Sequence, residues 1–154
     1  RNCTLSFCGG YTNDDRSLIK KYLSLLEKTG LKDHTTFHTH FNSSSRISFL
    51  SNISMLSVPV RTSIALGAFL IEAMTAGVPV VQPKKGGFSE IIDETGGGIL
   101  YDPDSPEALA GTIEMLHKDN RKLKHLSKQG KKAVELKFNS YNMAKTVIEA
   151  IDKG

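Results

Sequence analysis

One run of the chain predicts a loop, a helix and a buried strand in succession: Gly67-Ala68-Phe69-Leu70-Ile71-Glu72-Ala73-Met74-Thr75-Ala76-Gly77-Val78-Pro79-Val80-Val81. Gly67 belongs to a loop of small residues, a helix is predicted over residues 68–76, and Gly77 ends it. The apolar run over residues 78–82 is typical of a strand that is buried on both faces of a parallel sheet. A helix that leads into such a strand is the repeating unit of an α/β fold.

Strands and helices alternate outward from this unit along the whole chain. Further strands are predicted over residues 4–8, 35–41, 55–58 and 99–101, and further helices over 14–28, 43–50, 89–94, from Ser105-Pro106 onward, 121–137 and 141–151. The inward positions are expected to include Ile47 and Leu50 in one helix, and Leu109, Ile113 and Leu116 in another. The alternation predicts an α/β fold of Rossmann-like kind, with about five mostly parallel strands and helices on both faces of the sheet. We expect one domain over residues 1–154.

The composition favours a soluble globular protein. The chain has 154 residues, of which 39% are hydrophobic and 23% charged. No apolar run approaches the roughly 20 residues that a membrane span needs, and no signal peptide is evident. Cys3 and Cys8 fit no zinc or redox motif and are interpreted as reduced residues. The expected location is therefore the cytoplasm.

The positive charge is concentrated late in the chain. The formal net charge is +4, and residues 118–137 hold eight Lys or Arg against Asp119 and Glu135. One interpretation is a solvated helix face, and the other is attraction to anionic lipid, which would bring the protein to the membrane surface. Nucleic acid is not an expected partner.

The loop before the helix over residues 68–76 has the chemistry of a ligand site. In a parallel sheet, ligands bind beyond the carboxyl ends of the strands, and the free N–H groups of a helix start suit a phosphate. Glu72 lies one helical turn in, where its carboxylate can accept two hydrogen bonds from a diol such as a ribose. The alternative is a solvent-facing glutamate on an ordinary helix.

Several segments together resemble the family 4 glycosyltransferases. The run from Gly67 to Val81 is similar to the later part of their signature, Glu-Gly-Phe-Gly-Leu-Pro-x-x-Glu-Ala-Met-Ala-x-Gly-x-Pro-Val-Val. The flanking matches are Thr36-Phe37-His38 through Ser48-Phe49-Leu50, Gly86-Gly87-Phe88-Ser89-Glu90-Ile91-Ile92, Gly97-Gly98-Ile99-Leu100-Tyr101 and Asp104-Ser105-Pro106-Glu107-Ala108-Leu109. The resemblance implies the nucleotide-sugar-binding half of a retaining glycosyltransferase of the GT-B type.

The resemblance also implies roles for particular residues. Glu72 would hold the ribose hydroxyls, and the backbone at Gly67, Ala68 and Phe69 would meet the diphosphate and the sugar. The backbone near Phe41 would meet the base, with Arg46 nearby. The family's first signature glutamate contacts the donor sugar, and its position here is Ile64, which cannot accept a hydrogen bond.

The sequence offers two other candidate sites. Lys84-Lys85-Gly86-Gly87 precedes a helix and is either an anion site or a solvated loop. The cluster His34, His38 and His40 has no carboxylate or cysteine to complete a metal set, so no metal is expected. The chain has no Gly-x-Ser-x-Gly for a serine nucleophile and no Gly-x-Gly-x-x-Gly for nicotinamide, so no cofactor is expected either.

The resemblance predicts a function for a longer protein. It implies transfer of a sugar from a nucleoside diphosphate, with retention of configuration, to a lipid, a growing polysaccharide or a small molecule. The family's acceptor domain and the first strand of its nucleotide domain have no counterpart in the sequence, so this chain alone is expected to be inactive. The alternative is a non-catalytic module that keeps the fold and binds nucleotide sugars without transferring them.

Overall fold

The computed structural model describes residues 3–9, 15–38 and 42–152 of the chain. The chain forms two compact units, Arg1–Ile53 and Ser54–Gly154. Each unit has a small parallel sheet and helices, which confirms the predicted α/β class.

The first unit pairs two strands in parallel. Its elements are β1 Leu5–Cys8, α1 Arg16–Lys28, a 3₁₀ turn Lys32–His34, β2 Thr35–His38 and α2 Ser43–Ser51. Leu5 lies opposite Thr35, and Cys8 lies opposite His38. The rings of Phe7 and Phe37 stack with their centroids 4.8 Å apart. Residues 39–41, the end of the predicted second strand, lie outside the described residues.

Helix α2 corrects one predicted core position. Leu50 is buried, as expected, but Ile47 is 68% exposed, so its predicted inward position is wrong. The protected positions of this region are Ser45, Arg46, Phe49, Leu50 and Ile53, and the last four share one face. Because successive helical residues are turned by about 100°, Ile47 lies a quarter-turn away from that face.

The second unit holds the remaining elements. They are α3 Ala68–Thr75, β3 Val80–Pro83, α4 Gly87–Thr95, β4 Gly98–Tyr101, α5 Pro106–Lys118, α6 Asn120–Lys137 and α7 Ser140–Ile151. Strands β3 and β4 are parallel, with Val80 opposite Gly98 and Pro83 opposite Tyr101.

The predicted strand over residues 55–58 is reduced to a single parallel bridge between Leu56 and Val80. Leu56 donates its N–H to Pro79 and accepts from Val81, but the next available N–H, that of Val58, binds the side chain of Gln82. The described residues therefore form four strands and one bridge, close to the five strands expected.

The core of the second unit lies between the sheet and its helices. Helix α5 packs on β3 and β4, and α6 packs on α3, α4 and α5. One buried cluster joins Val81, Tyr101, Leu116 and Leu126, with Leu109 and Ile113 half-buried against it, which confirms the predicted inner stripe of α5. Leu70, Met74 and Phe88 of α3 and α4 are also fully buried.

The ends of these helices follow from their sequence. Ser105 caps α5 by accepting the N–H of Ala108 at 3.0 Å, and Pro106 occupies the first turn. Gly96 ends α4 in the left-handed region, with φ 61°. Helix α7 has no buried residue. In the described part of the chain, no helix is both long and apolar enough to cross a membrane.

Candidate functional site

Three loops of the second unit meet at one edge of its sheet. Residues 55–58, β3 and β4 run in parallel, so the segments that follow them leave from the same edge. These segments are residues 59–67, 84–86 and 102–105. This is the edge at which parallel sheets bind ligands.

Lys85 ties these three loops together. Its ammonium donates to the carbonyl of Arg61 at 2.9 Å and to the carboxylate of Asp104 at 2.7 Å. Its side chain is only 18% exposed, whereas that of Asp104 is 64% exposed. The N–H of Lys84 also donates to the carbonyl of Tyr101 at 2.9 Å. Contacts between residues distant in sequence therefore hold the three loops together at this edge.

The loop at Ile64 lies directly on the turn at Gly86 and Gly87. Gly87 donates its N–H to the carbonyl of Ile64 at 3.0 Å. A Cβ atom at Gly86 would lie 2.4 Å from the carbonyl oxygen of Ile64, and one at Gly87 would lie 2.4 Å from that of Ala65. Two backbones this close leave no room for a side chain, so both positions require glycine.

Helix α3 begins where this loop ends. Gly67 is the residue before the helix, and its carbonyl accepts the N–H of Leu70 at 2.8 Å. Gly67 is buried under Phe88, and the half-buried ring of Phe69 meets Phe88 edge to face at 5.7 Å. The N–H groups of Ala68 and Phe69 belong to the first turn, where a helix supplies no partner of its own.

Glu72 is the fifth residue of α3 and is half-buried. Ile64 is also half-buried, and its main chain carries the contact to Gly87. The structure therefore brings Ile64, Gly67 and the Lys84–Gly87 turn together in one unit. The assignment of Glu72 to a ribose stays a prediction.

The candidate anion site has partners within the fold. Lys85 is engaged by Arg61 and Asp104, and the N–H of Gly87 is engaged by Ile64. The side chain of Lys84 is exposed. Arg61 and Asp104 are the residues that sequence analysis missed. The sequence places Asp104 in a turn, and the structure gives it φ 63°. No neighbouring residue in the sequence indicates that Asp104 pairs with Lys85, which lies 19 residues away.

The first unit has a cavity of about 280 Å³ beside α2. Its lining consists of Ser6, Cys8, His38, Ser45, Ser48, Phe49, Asn52 and Ile53. Burial raises the pKa of the Cys8 thiol. Arg46 is half-buried on α2, and its backbone N–H donates to the carbonyl of Asn42 at 2.9 Å. Phe41 lies outside the described residues.

Sequence analysis also missed a buried polar residue in the second unit. Gln82 is fully buried, and its Oε1 accepts the N–H of Val58 at 3.1 Å. Its Nε2 has no hydrogen-bond partner in the described part of the chain. The available signal was a glutamine at the end of an apolar run.

The described ranges 3–9, 15–38 and 42–152 contain no candidate metal site. No group of three or more His, Cys, Asp or Glu residues there could hold an ion. His40 lies outside those ranges. It is the third histidine of the cluster that the sequence contains.

Comparison with known proteins gives consistent matches. The family model of glycosyl transferases group 1 matches residues 1–133. Spore coat protein SA of Bacillus subtilis (strain 168) is 26% identical over 140 residues, which cover 88% of this chain and 37% of that protein.

Two solved structures share the fold. The C-terminal domain of LpcC, a glycosyl transferase group 1 family protein from Francisella tularensis, is 25% identical with a TM-score of 0.76 and covers 89% of this chain and 70% of that one. The Anabaena protein Alr3699/HepE, solved in complex with UDP, is 19% identical with a TM-score of 0.87, over 99% of this chain and 41% of that one. The chain thus spans less than half the length of spore coat protein SA and of HepE.

Proposed function

Because this chain belongs to the glycosyl transferases of group 1, we propose that it binds a nucleoside-diphosphate sugar. Within a longer protein, the sugar would pass with retention of configuration to a lipid, a polysaccharide or a small molecule. Because HepE was solved with UDP, a uridine nucleotide is the first donor to test. The two cysteines are free thiols, which suits the cytoplasm.

The observation that carries this proposal is the fixed loop before α3. Its carbonyl groups at Arg61 and Ile64 accept hydrogen bonds from Lys85 and Gly87, which anchor the loop at both points. The N–H groups of Ala68 and Phe69 and the positive end of the helix dipole suit the diphosphate. In transfer, the same groups would stabilise the charge that develops on the leaving diphosphate. Preorganised donors are effective because they need no rearrangement during the reaction.

The nucleoside end of the donor is assigned to three residues. Glu72 would accept hydrogen bonds from the two ribose hydroxyls. In the first unit, the backbone near Phe41 would contact the base, with Arg46 nearby. The cavity beside α2 has both polar and apolar residues in its lining, which suits a ligand in that unit.

The cation for the diphosphate would be Lys84 rather than Lys85. The ammonium of Lys85 is engaged by Asp104 and by the carbonyl of Arg61, whereas the side chain of Lys84 is exposed. Peripheral association with a membrane surface through residues 118–137 completes the proposal.

A second candidate function is a nucleotide-sugar-binding module without transferase activity. Ile64 favours it, because this apolar side chain stands where the family signature has a sugar-binding glutamate. A sugar hydroxyl left against an apolar surface costs about 1–3 kcal/mol. The module would bind the nucleotide and gain little from the sugar.

The first experiment compares UDP with 2′-deoxy-UDP by titration calorimetry. If Glu72 holds the ribose, the natural chain should prefer UDP, and Glu72→Ala should lose that preference along with about 10- to 100-fold of UDP affinity. Glu135→Ala, which removes an exposed carboxylate from α6, is the matched control and should keep both properties. A preference for UDP that survives Glu72→Ala would refute the assignment.

The second experiment separates the two candidate functions. If the chain is a binding module, the natural chain should bind UDP and UDP-glucose with equal affinity. The variant Ile64→Glu should then bind UDP-glucose more tightly and UDP with unchanged affinity. A marked preference of the natural chain for UDP-glucose, with sugar transfer when it is expressed with its full-length context, would instead favour the enzyme.

A further inference from the structure

Helix α6 holds more positive charge than the whole chain does. Its 18 residues include seven Lys or Arg and one acid, Glu135, so the helix has a formal charge of +6, against +4 for all 154 residues. The remainder of the chain is therefore slightly acidic. The basic character of this protein is a property of one helix.

The structure sorts the cations of residues 118–137 into two groups. Lys118 is paired with Glu114 and Lys137 with Glu94, and Lys122 contacts the sulfur of Met115. The other five are exposed and lie at i, i+3, i+7, i+10 and i+11, which places them on one face of the helix. We call them the cationic stripe: Arg121, Lys124, Lys128, Lys131 and Lys132.

The cationic stripe lies opposite the face by which α6 packs on the unit. That packed face consists of Leu126, Gly130 and Val134, all of which are buried. The stripe residues form no salt bridge in the described part of the chain. Glu135 is the one acid on that side of α6, at the end of the stripe. In contrast, α5 and α7 pair lysines with glutamates four residues away, the usual arrangement on a solvated helix.

The kind of partner follows from the side chains on and beside the stripe. Four of the five cations are lysines, which bind as point charges, whereas nucleic-acid sites favour the planar fork of arginine and aromatic rings that stack on bases. Beside the stripe lies Leu136, which is 60% exposed. Clusters of four to eight basic residues with an apolar neighbour are typical of binding to anionic lipid.

We propose that the cationic stripe of α6 docks on membranes that contain anionic phospholipid. Each basic residue near such a surface strengthens binding about fivefold, which corresponds to ~1 kcal/mol. The docking does not depend on donor binding, because none of its residues belongs to the proposed donor site. A lipid acceptor would then be met at the surface where the protein is held.

The test is co-sedimentation of the chain with vesicles. One set contains phosphatidylcholine alone, and the other contains phosphatidylcholine with about one third phosphatidylserine. The triple variant Lys124→Gln, Lys128→Gln, Lys131→Gln keeps good helix formers and should lose about a hundredfold in affinity for the anionic vesicles. The control triple Lys20→Gln, Lys21→Gln, Lys28→Gln makes the same change in net charge on exposed positions of α1 and should lose less than about threefold.

Circular dichroism of both triples verifies that the helices remain. The proposal is supported if the natural chain binds only the anionic vesicles, releases them as salt rises, and depends on the α6 lysines alone. Equal losses in the two triples would overturn it in favour of bulk charge. Tighter binding to single-stranded RNA than to anionic vesicles would overturn it in favour of nucleic acid. UDP affinity should be unchanged in either triple, so a failure of the donor proposal would be distinguishable.

Discussion

A methyl group added at Gly87 tests whether the loop at Ile64 and Ala65 contacts the turn after β3. In Gly87→Ala, the new Cβ would lie 2.4 Å from the carbonyl oxygen of Ala65 and 3.6 Å from that of Ile64. Both are backbone atoms, so no side chain can rotate away to relieve the contact. Either the loop or the start of α4 must move, and the hydrogen bond from Gly87 N–H to Ile64 at 3.0 Å would lengthen.

The expected cost is the sum of opposing effects. Overpacking of this kind costs about 1–3 kcal/mol, and weakening the hydrogen bond adds about 1 kcal/mol. Replacing glycine by alanine in a helix returns about 0.5–1 kcal/mol. The free energy of unfolding should therefore fall by roughly 1–3.5 kcal/mol, which at this chain length lowers Tm by about 2–14 °C.

Gly111→Ala is the matched control. Gly111 lies within α5, is exposed, and has open space where a Cβ would stand. The same substitution should therefore raise the free energy of unfolding by about 0.5–1 kcal/mol. Urea unfolding followed by circular dichroism compares the two variants with the natural chain. If Gly87→Ala were as stable as Gly111→Ala, the close approach of the loop to the turn would be refuted.

Three further changes have effects that follow from single observations. Phe88 is fully buried, so Phe88→Ala should lower the free energy of unfolding by about 3–5 kcal/mol in urea denaturation. Ser105→Ala removes the acceptor of the Ala108 N–H and should lower the same quantity by about 1 kcal/mol, whereas Ser105→Asp should retain it. Burial raises the pKa of the Tyr101 hydroxyl above its usual 10.0. The protonated hydroxyl therefore contributes fully to the free energy of unfolding below that pH, and the contribution is lost as pH rises through the raised pKa. Thermal melts between about pH 9 and 11 should therefore show a smaller loss for Tyr101→Phe than for the natural chain.

The sequence predicted the elements well because their signals are local. The cap at Ser105 and the stripe of α5 are each set within a few neighbouring residues, and both appear where expected. Helix α4 begins at Gly87, two residues before its predicted start at Ser89. Glycine weakens a helix in isolation, so the sequence signal placed the boundary later. The two glycines are required instead by the loop at residues 64–65, which only the folded chain brings into contact.

The site was predicted less completely, since its supports are distant in sequence. Lys85 reaches the carbonyl of Arg61, 24 residues away, and the carboxylate of Asp104, 19 residues away. A pair of lysines before two glycines suggests an anion site, and nothing local shows that one of them is already engaged. Likewise, the side chain of Gln82 completes a strand contact to Val58 that a pattern of apolar residues does not reveal.

The departure at Ile64 affects the chemistry of the loop more than its shape. The loop is held through the carbonyl of Ile64, which accepts from Gly87, and through the carbonyl of Arg61, which accepts from Lys85. Both anchors are main-chain atoms, so the course of the loop does not depend on the side chain at position 64. A glutamate or an isoleucine can stand there on the same backbone. Under the proposed function, a chain with this loop would keep the nucleotide end of its site while its selection of the sugar changes or is lost.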